Sequence, residues 1–181
     1  MFYCFLAKGF EEIEAITTVD MLRRAGIEVM TGAVDSHEKI VEGAHGISVV
    51  ADIDQSEVSF NNLEGIILPG GMPGTINLEE SEVVNKALDY CVNNNLYIFA
   101  ICAAPQILGH KGILEGKNAT CYPGFENELK GAVLSELPAV KDGKIITAKG
   151  PGATVAFAAE IISELKSEIT ANELKESMQC V

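Results

Sequence analysis

A chain of 181 residues with 26 acidic and 13 basic side chains, formally charged at −13, repels phosphate backbones and anionic lipid, which argues against nucleic acid and membrane as partners. That length suffices for one domain, 1–181, burying about 70 % of its unfolded surface without covalent staples. The five cysteines, Cys4, Cys91, Cys102, Cys121 and Cys180, are odd in number and lack C-x-x-C spacing, so reduced thiols in a cytosol are expected rather than a disulfide framework or a metal or redox pair.

The N-terminal run Phe2 to Leu6 is apolar, of strand length and without a basic segment before it, and no later run approaches a membrane span. An unprocessed, soluble, cytoplasmic protein is expected. Lys8-Gly9-Phe10-Glu11-Glu12-Ile13-Glu14 leaves that strand and crowds carboxylates into a helix start, where the helix dipole favours them with or without a functional role. The helix is expected over Glu11 to Ala25, closing on the basic turn Arg23-Arg24-Ala25-Gly26. A strand, Ile27 to Val34, follows, and then a less regular stretch, His37 to Gly46, that fits a hairpin or an excursion on the main sheet.

Gly65 to Leu68 does not alternate in polarity and reads as a strand buried on both faces. It ends in Leu68-Pro69-Gly70-Gly71, whose amides either donate to an oxyanion at the sheet edge or form a plain turn. Ser81, with Val84 and Ala87 behind it, is placed as the N-cap of a helix running to Asn93.

Leu96 to Ile101 is a second strand buried on both faces, and it runs directly into Cys102-Ala103-Ala104-Pro105, where proline suits a first helical turn. A side chain at such a junction sits at the carboxyl edge of the sheet, where open α/β folds bind ligands. Helix amides, Ala103 among them, and the helix dipole would then favour thiolate at Cys102; the alternative is a buried, inert cysteine. A short helix, Pro105 to Gly109, an irregular stretch, Thr120 to Leu137, a strand, Lys144 to Ala148, and a helix, Ala153 to Lys166, complete the pattern. The tail from Thr170 to Val181 has too few apolar residues to place. Strands alternating with helices predict an α/β fold with a mostly parallel central sheet and helices on both faces.

Five blocks carry a resemblance that covers nearly the whole chain: Ala7 to Glu14, Asp20 to Gly26, Leu68 to Gly71, Ala100 to Pro105 and Thr147 to Gly152. In order and spacing they resemble the DJ-1/PfpI (ThiJ/PfpI) superfamily, on its DJ-1-like branch. The resemblance implies a flavodoxin-like three-layer sandwich, usually homodimeric, with Cys102 as the family cysteine. It also implies that Glu14 is the protonated glutamate bonded to that sulfur, and that Gly70 and Gly71 are amide donors. Periodicity alone does not select Glu14: with Ile16, Val19 and Leu22 facing the core, Glu12 lies nearer that face. Apolar residues spread widely around this helix (Ile13, Ile16, Val19, Met21, Leu22), which fits packing on two sides, one of them a partner subunit.

One departure bears on mechanism. Many relatives place a histidine before the proline of the segment that reads Ala119-Thr120-Cys121-Tyr122-Pro123, and Tyr122 stands there instead. A phenol with a reference pKa of about 10 is a poor general base near neutrality, although its hydroxyl can donate a hydrogen bond. His110 lies too far along its helix to touch Cys102. His45 falls near a basic residue that relatives present across a dimer contact, so a role from a partner subunit stands beside plain surface placement, as for His37. Cys121 is either a resolving thiol or core packing.

Two functions use the same residues. In the first, Cys102 adds to a small aldehyde or a methylglyoxal-type 2-oxoaldehyde, and Glu14 shuttles protons in a glyoxalase or deglycase reaction. In the second, a non-enzymatic stress sensor or chaperone, peroxide drives Cys102 to sulfinic acid. No metal or organic cofactor is expected.

Overall fold

The computed structural model describes residues 1–34 and 38–180, so His37 lies outside the described residues. Seven strands form the central sheet: β1 (Phe2–Leu6), β2 (Val29–Ala33), β5 (Ile53–Asp54), β6 (Gly65–Leu68), β7 (Tyr97–Ile101), β10 (Ala139–Asp142) and β11 (Ile145–Ala148). Their order is β10-β11-β7-β6-β1-β2-β5, parallel throughout except that β10 runs antiparallel to β11. The strands before and after Cys102 are in register, with Leu68 opposite Ala100 and Ala148 opposite Ile101. Pro69-Gly70-Gly71, Cys102 and Lys149-Gly150 therefore leave the sheet side by side at one carboxyl edge.

Strand β1 shows why both faces must be covered: Phe2, Cys4 and Leu6 enter one core layer, and Tyr3 and Phe5 the other. The first layer holds α1 (Glu12–Arg24), α5 (Thr154–Leu165) and α6 (Glu168–Ser177), with Val19, Leu22, Phe157, Ile161 and Ala171 buried. The second holds α2 (Gly74–Glu80), α3 (Glu82–Asn93) and α4 (Pro105–His110), with Leu78, Val84, Leu88 and Ile107 buried. This is the expected flavodoxin-like three-layer arrangement. Among the described residues, no helix is long and apolar enough to cross a membrane.

The irregular stretches leave the main sheet. Strands β3 (Ile40–Glu42) and β4 (Ser48–Val50) form a separate antiparallel hairpin, and β8 (Asn118–Ala119) pairs in parallel with β9 (Val133–Leu134). The sequence left the tail unplaced, and it holds α6, capped by the Ser167 side chain accepting from the Thr170 amide.

Two helix ends are instructive. At the end of α1, Gly26 has φ +69° and donates to Arg23 while Ile27 donates to Leu22, a glycine-stopped Schellman turn as expected. Ser81 does precede α3, but its hydroxyl caps nothing and is buried without a partner. The reason is that α2 runs straight into α3, so the Ser81 amide closes α2 by donating to Asn77. The buried arc of α1 also differs from expectation. Glu12, Glu14, Ala15, Thr18, Val19, Met21 and Leu22 are buried, whereas Ile16, expected in the core, is 40 % exposed.

Candidate active site

Cys102 begins the turn between β7 and α4 with φ +66°, a left-handed conformation that a side-chain-bearing residue holds only when its surroundings enforce it. Here they do. Its amide donates to the Ala148 carbonyl at 2.9 Å, and its carbonyl accepts from the Tyr122 amide at 2.8 Å. The neighbouring strand end and the Tyr122 segment thus clamp the peptide on both sides, and the half-buried sulfur receives hydrogen bonds from the Ala103 and Gly71 amides.

Glu14, from the first turn of α1, reaches under this edge and is only 1 % exposed. Its Oε2 accepts from the Gly70 amide at 2.8 Å, while Oε1 is buried without a hydrogen-bond partner. Loss of hydration pushes its carboxyl up to about 7, against the lowering effect of its interactions with Cys102 and Gly70, and nearby Glu11 adds to the rise. Moving a carboxyl from 4.5 to about 7 is worth roughly 3 kcal/mol in favour of the protonated form.

Burial, and then the Glu14 carboxylate, push the Cys102 thiol up, while the Ala103 and Gly71 amides pull it down. The helix dipole expected to favour thiolate is weak, because α4 has only 6 residues. The Glu14 contribution changes sign with protonation. A neutral carboxyl exerts no charge repulsion, and its O–H can donate to sulfur, so acid-plus-thiolate and carboxylate-plus-thiol are two placements of one shared proton.

Of the expected amide donors, Gly71 and Ala103 face the sulfur, whereas the Gly70 amide is occupied by Glu14. Gly70 is therefore a holder of the carboxyl rather than an oxyanion donor. It matters also for what it lacks: a Cβ there would lie 2.6 Å from Cys102 Cβ and 2.7 Å from Glu14 Oε2. Gly71, with φ +90°, fits against the Gly9 carbonyl and the Glu11 amide, which leaves no space for a side chain.

Tyr122 stands beside the site. A Cβ on Gly150 would be 2.9 Å from the Tyr122 ring and 3.8 Å from Cys102 Sγ. His45 is held in its own chain: Nδ1 lies 2.9 Å from Glu12 Oε2 and 3.6 Å from Glu11 Oε1. Burial would raise the Glu12 pKa, but hydrogen bonds from the His45 ring, the His45 amide and the Ile47 amide hold it below its usual range. Glu11, Glu12 and His45 are of metal-ligand type and bring ligand atoms within 4.8 Å of one another, yet those atoms already satisfy each other. His110 bridges Glu79 and Glu128 away from the thiol, and Cys121 is buried in the second core layer, its thiol pushed up to about 11 mainly by burial. The Glu12–His45 pair and the approach of Gly150 to the sulfur escaped the sequence, since both join segments far apart in the chain.

The sequence model described as the DJ-1/PfpI family matches residues 2–164. Protein dj-1beta of Drosophila melanogaster is 33 % identical over 175 residues, covering 96 % of this chain and 93 % of that protein. The crystal structure of Drosophila DJ-1beta superimposes with a TM-score of 0.92 at 32 % identity, covering 99 % of this chain and 97 % of the other. The glutathione-independent glyoxalase DJR-1.2 of Caenorhabditis elegans is 33 % identical over 166 residues, 91 % of this chain and 87 % of that protein. Protein DJ-1 homolog B of Arabidopsis thaliana is 36 % identical over 171 residues, 93 % of this chain, and the match spans only 39 % of its length.

Proposed function

This chain belongs to the DJ-1/PfpI family, and from that membership we propose that it converts small 2-oxoaldehydes of the methylglyoxal type to 2-hydroxy acids without a cofactor. The carrying observation is the Cys102–Glu14 pair: a half-buried sulfur with two amide donors beside a carboxyl pushed up to about 7. A relative named as a glutathione-independent glyoxalase supports the same reading.

Sulfur attacks the aldehyde carbon; the S–C bond forms, the C=O π bond breaks, and the oxygen takes the shared proton, giving a hemithioacetal. The Gly71 and Ala103 amides, which face the sulfur, are the nearest donors to the developing oxyanion. Glu14, now a carboxylate, takes the hydrogen of the former aldehyde carbon as a proton while the neighbouring carbonyl oxygen gains a proton, giving an enediol. The proton held by Glu14 then returns to the neighbouring carbon as the hydroxyl on the first carbon loses its proton and becomes C=O. The first carbon is thereby oxidised to a thioester and the second reduced to an alcohol. Water then cleaves the thioester, releasing the hydroxy acid and restoring the thiol. No external oxidant or reductant is required. A carboxyl near pKa 7 suits both halves of the proton transfer, because its two forms coexist at neutral pH.

Formation of lactate from methylglyoxal by the purified protein is the test. Cys102→Ala is expected to abolish it, and parental activity in that variant would refute the reading. Tyr122→His, at a ring that lies beside the sulfur, is expected to raise the rate and add a titration near pH 6.5. Well-placed acid–base assistance is worth on the order of a hundredfold or more. A folded Tyr122→His protein without gain would show that Glu14 alone suffices.

A further inference from the structure

Resting on Cys102 as the nucleophile toward small carbonyls, we propose that the Tyr122 ring is a wall of the thiol site that sets substrate size, admitting 2-oxoaldehydes no larger than methylglyoxal and turning away those with an aryl group on the ketone. The other sides of the sulfur are closed by groups that stand close to it. Glu14 reaches it from below, the Gly71 and Ala103 amides face it, and a Cβ on Gly70 would come within 3.1 Å of Sγ. Gly150 contributes no side chain. The point where its Cβ would be is 3.8 Å from Sγ, 2.9 Å from Tyr122 Cδ2 and 3.5 Å from Tyr122 Cε2. The ring edge thus occupies the space that Gly150 leaves, and it is the bulkiest of these groups around the sulfur.

Three contacts hold the wall in place. The Tyr122 amide donates to the Cys102 carbonyl at 2.8 Å, so the residue that carries the ring is tied directly to the nucleophile. Phe125 meets the ring edge to face, with centroids 6.5 Å apart and planes at 73°. The Gly150 backbone stands against the ring edge. Pushing a packed ring aside breaks such contacts, and that cost falls on the larger substrate. A methyl group ends one bond beyond the ketone carbon, whereas a phenyl ring runs on for a further three. With sulfur and ring edge both within 4 Å of one point, the first clears the wall and the second runs into it. Selection by shape of this kind is worth on the order of tenfold to a hundredfold.

The test reads the wall without turnover. Cys102 is alkylated with bromoacetone and with phenacyl bromide, which carry a methyl or a phenyl group on the ketone beside the reacting carbon, as methylglyoxal and phenylglyoxal do. Rates come from peptide mapping, each divided by the rate with free cysteine. The wild-type protein is expected to favour bromoacetone by on the order of tenfold. Tyr122→Ala should bring the ratio near one, and Tyr122→Phe should keep it, because the wall needs the ring and not its hydroxyl. An unaltered ratio in Tyr122→Ala, whether both rates stay or both rise together, would overturn the proposal, as would an equal loss in Tyr122→Phe. In turnover, Tyr122→Ala should gain on phenylglyoxal relative to methylglyoxal. An alkylation ratio that follows Tyr122 in a protein that turns over neither aldehyde would instead leave the wall standing and sink only the carbonyl chemistry.

Discussion

At the scale of single residues, the unusual feature is a carboxyl buried to 1 % exposure with one oxygen unpartnered. Its folded pKa of about 7 lies above the 4.5 of an ordinary glutamate, so between these values the folded protein binds more protons than the unfolded chain. The sign follows: stability falls as pH rises from about 4.5 through about 7, then levels off. Glu14→Gln keeps an acceptor for the Gly70 amide but cannot ionise, and is expected to remove that part of the pH dependence. Urea midpoints of both proteins at pH 5 and pH 8 check it. At pH 8 the variant should be the more stable, by an amount on the order of 3 kcal/mol, and parallel profiles would show that Glu14 stays charged when folded. Only the family resemblance pointed to Glu14. A hydrophobic period treats every glutamate as polar, and nothing local to Glu11, Glu12 and Glu14 says which of them a distant glycine amide and thiol will receive.

Between elements, His110 ties the end of α2 to the segment after Tyr122, with Nε2 2.8 Å from Glu128 and Nδ1 bonded to Glu79. Both ring nitrogens face carboxylates, so both contacts are made only by the imidazolium, and Glu128 and then Glu79 raise its pKa from 6.5. A raised histidine stabilises fully below its unfolded value and loses that contribution as pH rises through the folded one. His110→Gln is therefore expected to lower Tm at pH 6 more than at pH 9. An equal change at both would mean that the ring serves only as packing. The sequence exposed the elements unevenly, for physical reasons. Strands β1, β6 and β7 are continuous apolar runs because helices cover both their faces, and such runs have few other interpretations. Helix α6 buries only Ala171, so its apolar period is too faint to recognise. Helix α2 starts at a glycine directly after Pro73, a sequence that signals a turn at least as strongly as a helix.

Across the whole molecule, exposed apolar side chains gather where α1 meets the β3–β4 hairpin. Ile13 is 54 % exposed, Ile16 40 % and Ile47 58 %, and the Ile47 amide reaches the Glu12 carboxylate, which sets the two elements edge to edge. A patch of this kind is expected to be covered by a second copy of the chain. Light scattering at micromolar concentration should return twice the chain mass, and Ile13→Glu should return the single mass with unchanged circular dichroism. A wild-type monomer would refute the pairing. The sheet itself offers little to a partner. One rim is the two-residue strand Ile53–Asp54, and the other carries Lys141 and Asp142 just after Pro138, with Asn118 bonded across to the Asp142 carboxylate. Open strand rims are where folded proteins template fibrils, by adding one chain's backbone to the next. With both rims short, charged or occupied, concentrated solutions of this protein should resist amyloid-type growth for as long as the fold is intact, and fibril seeding should begin only once the chain has opened.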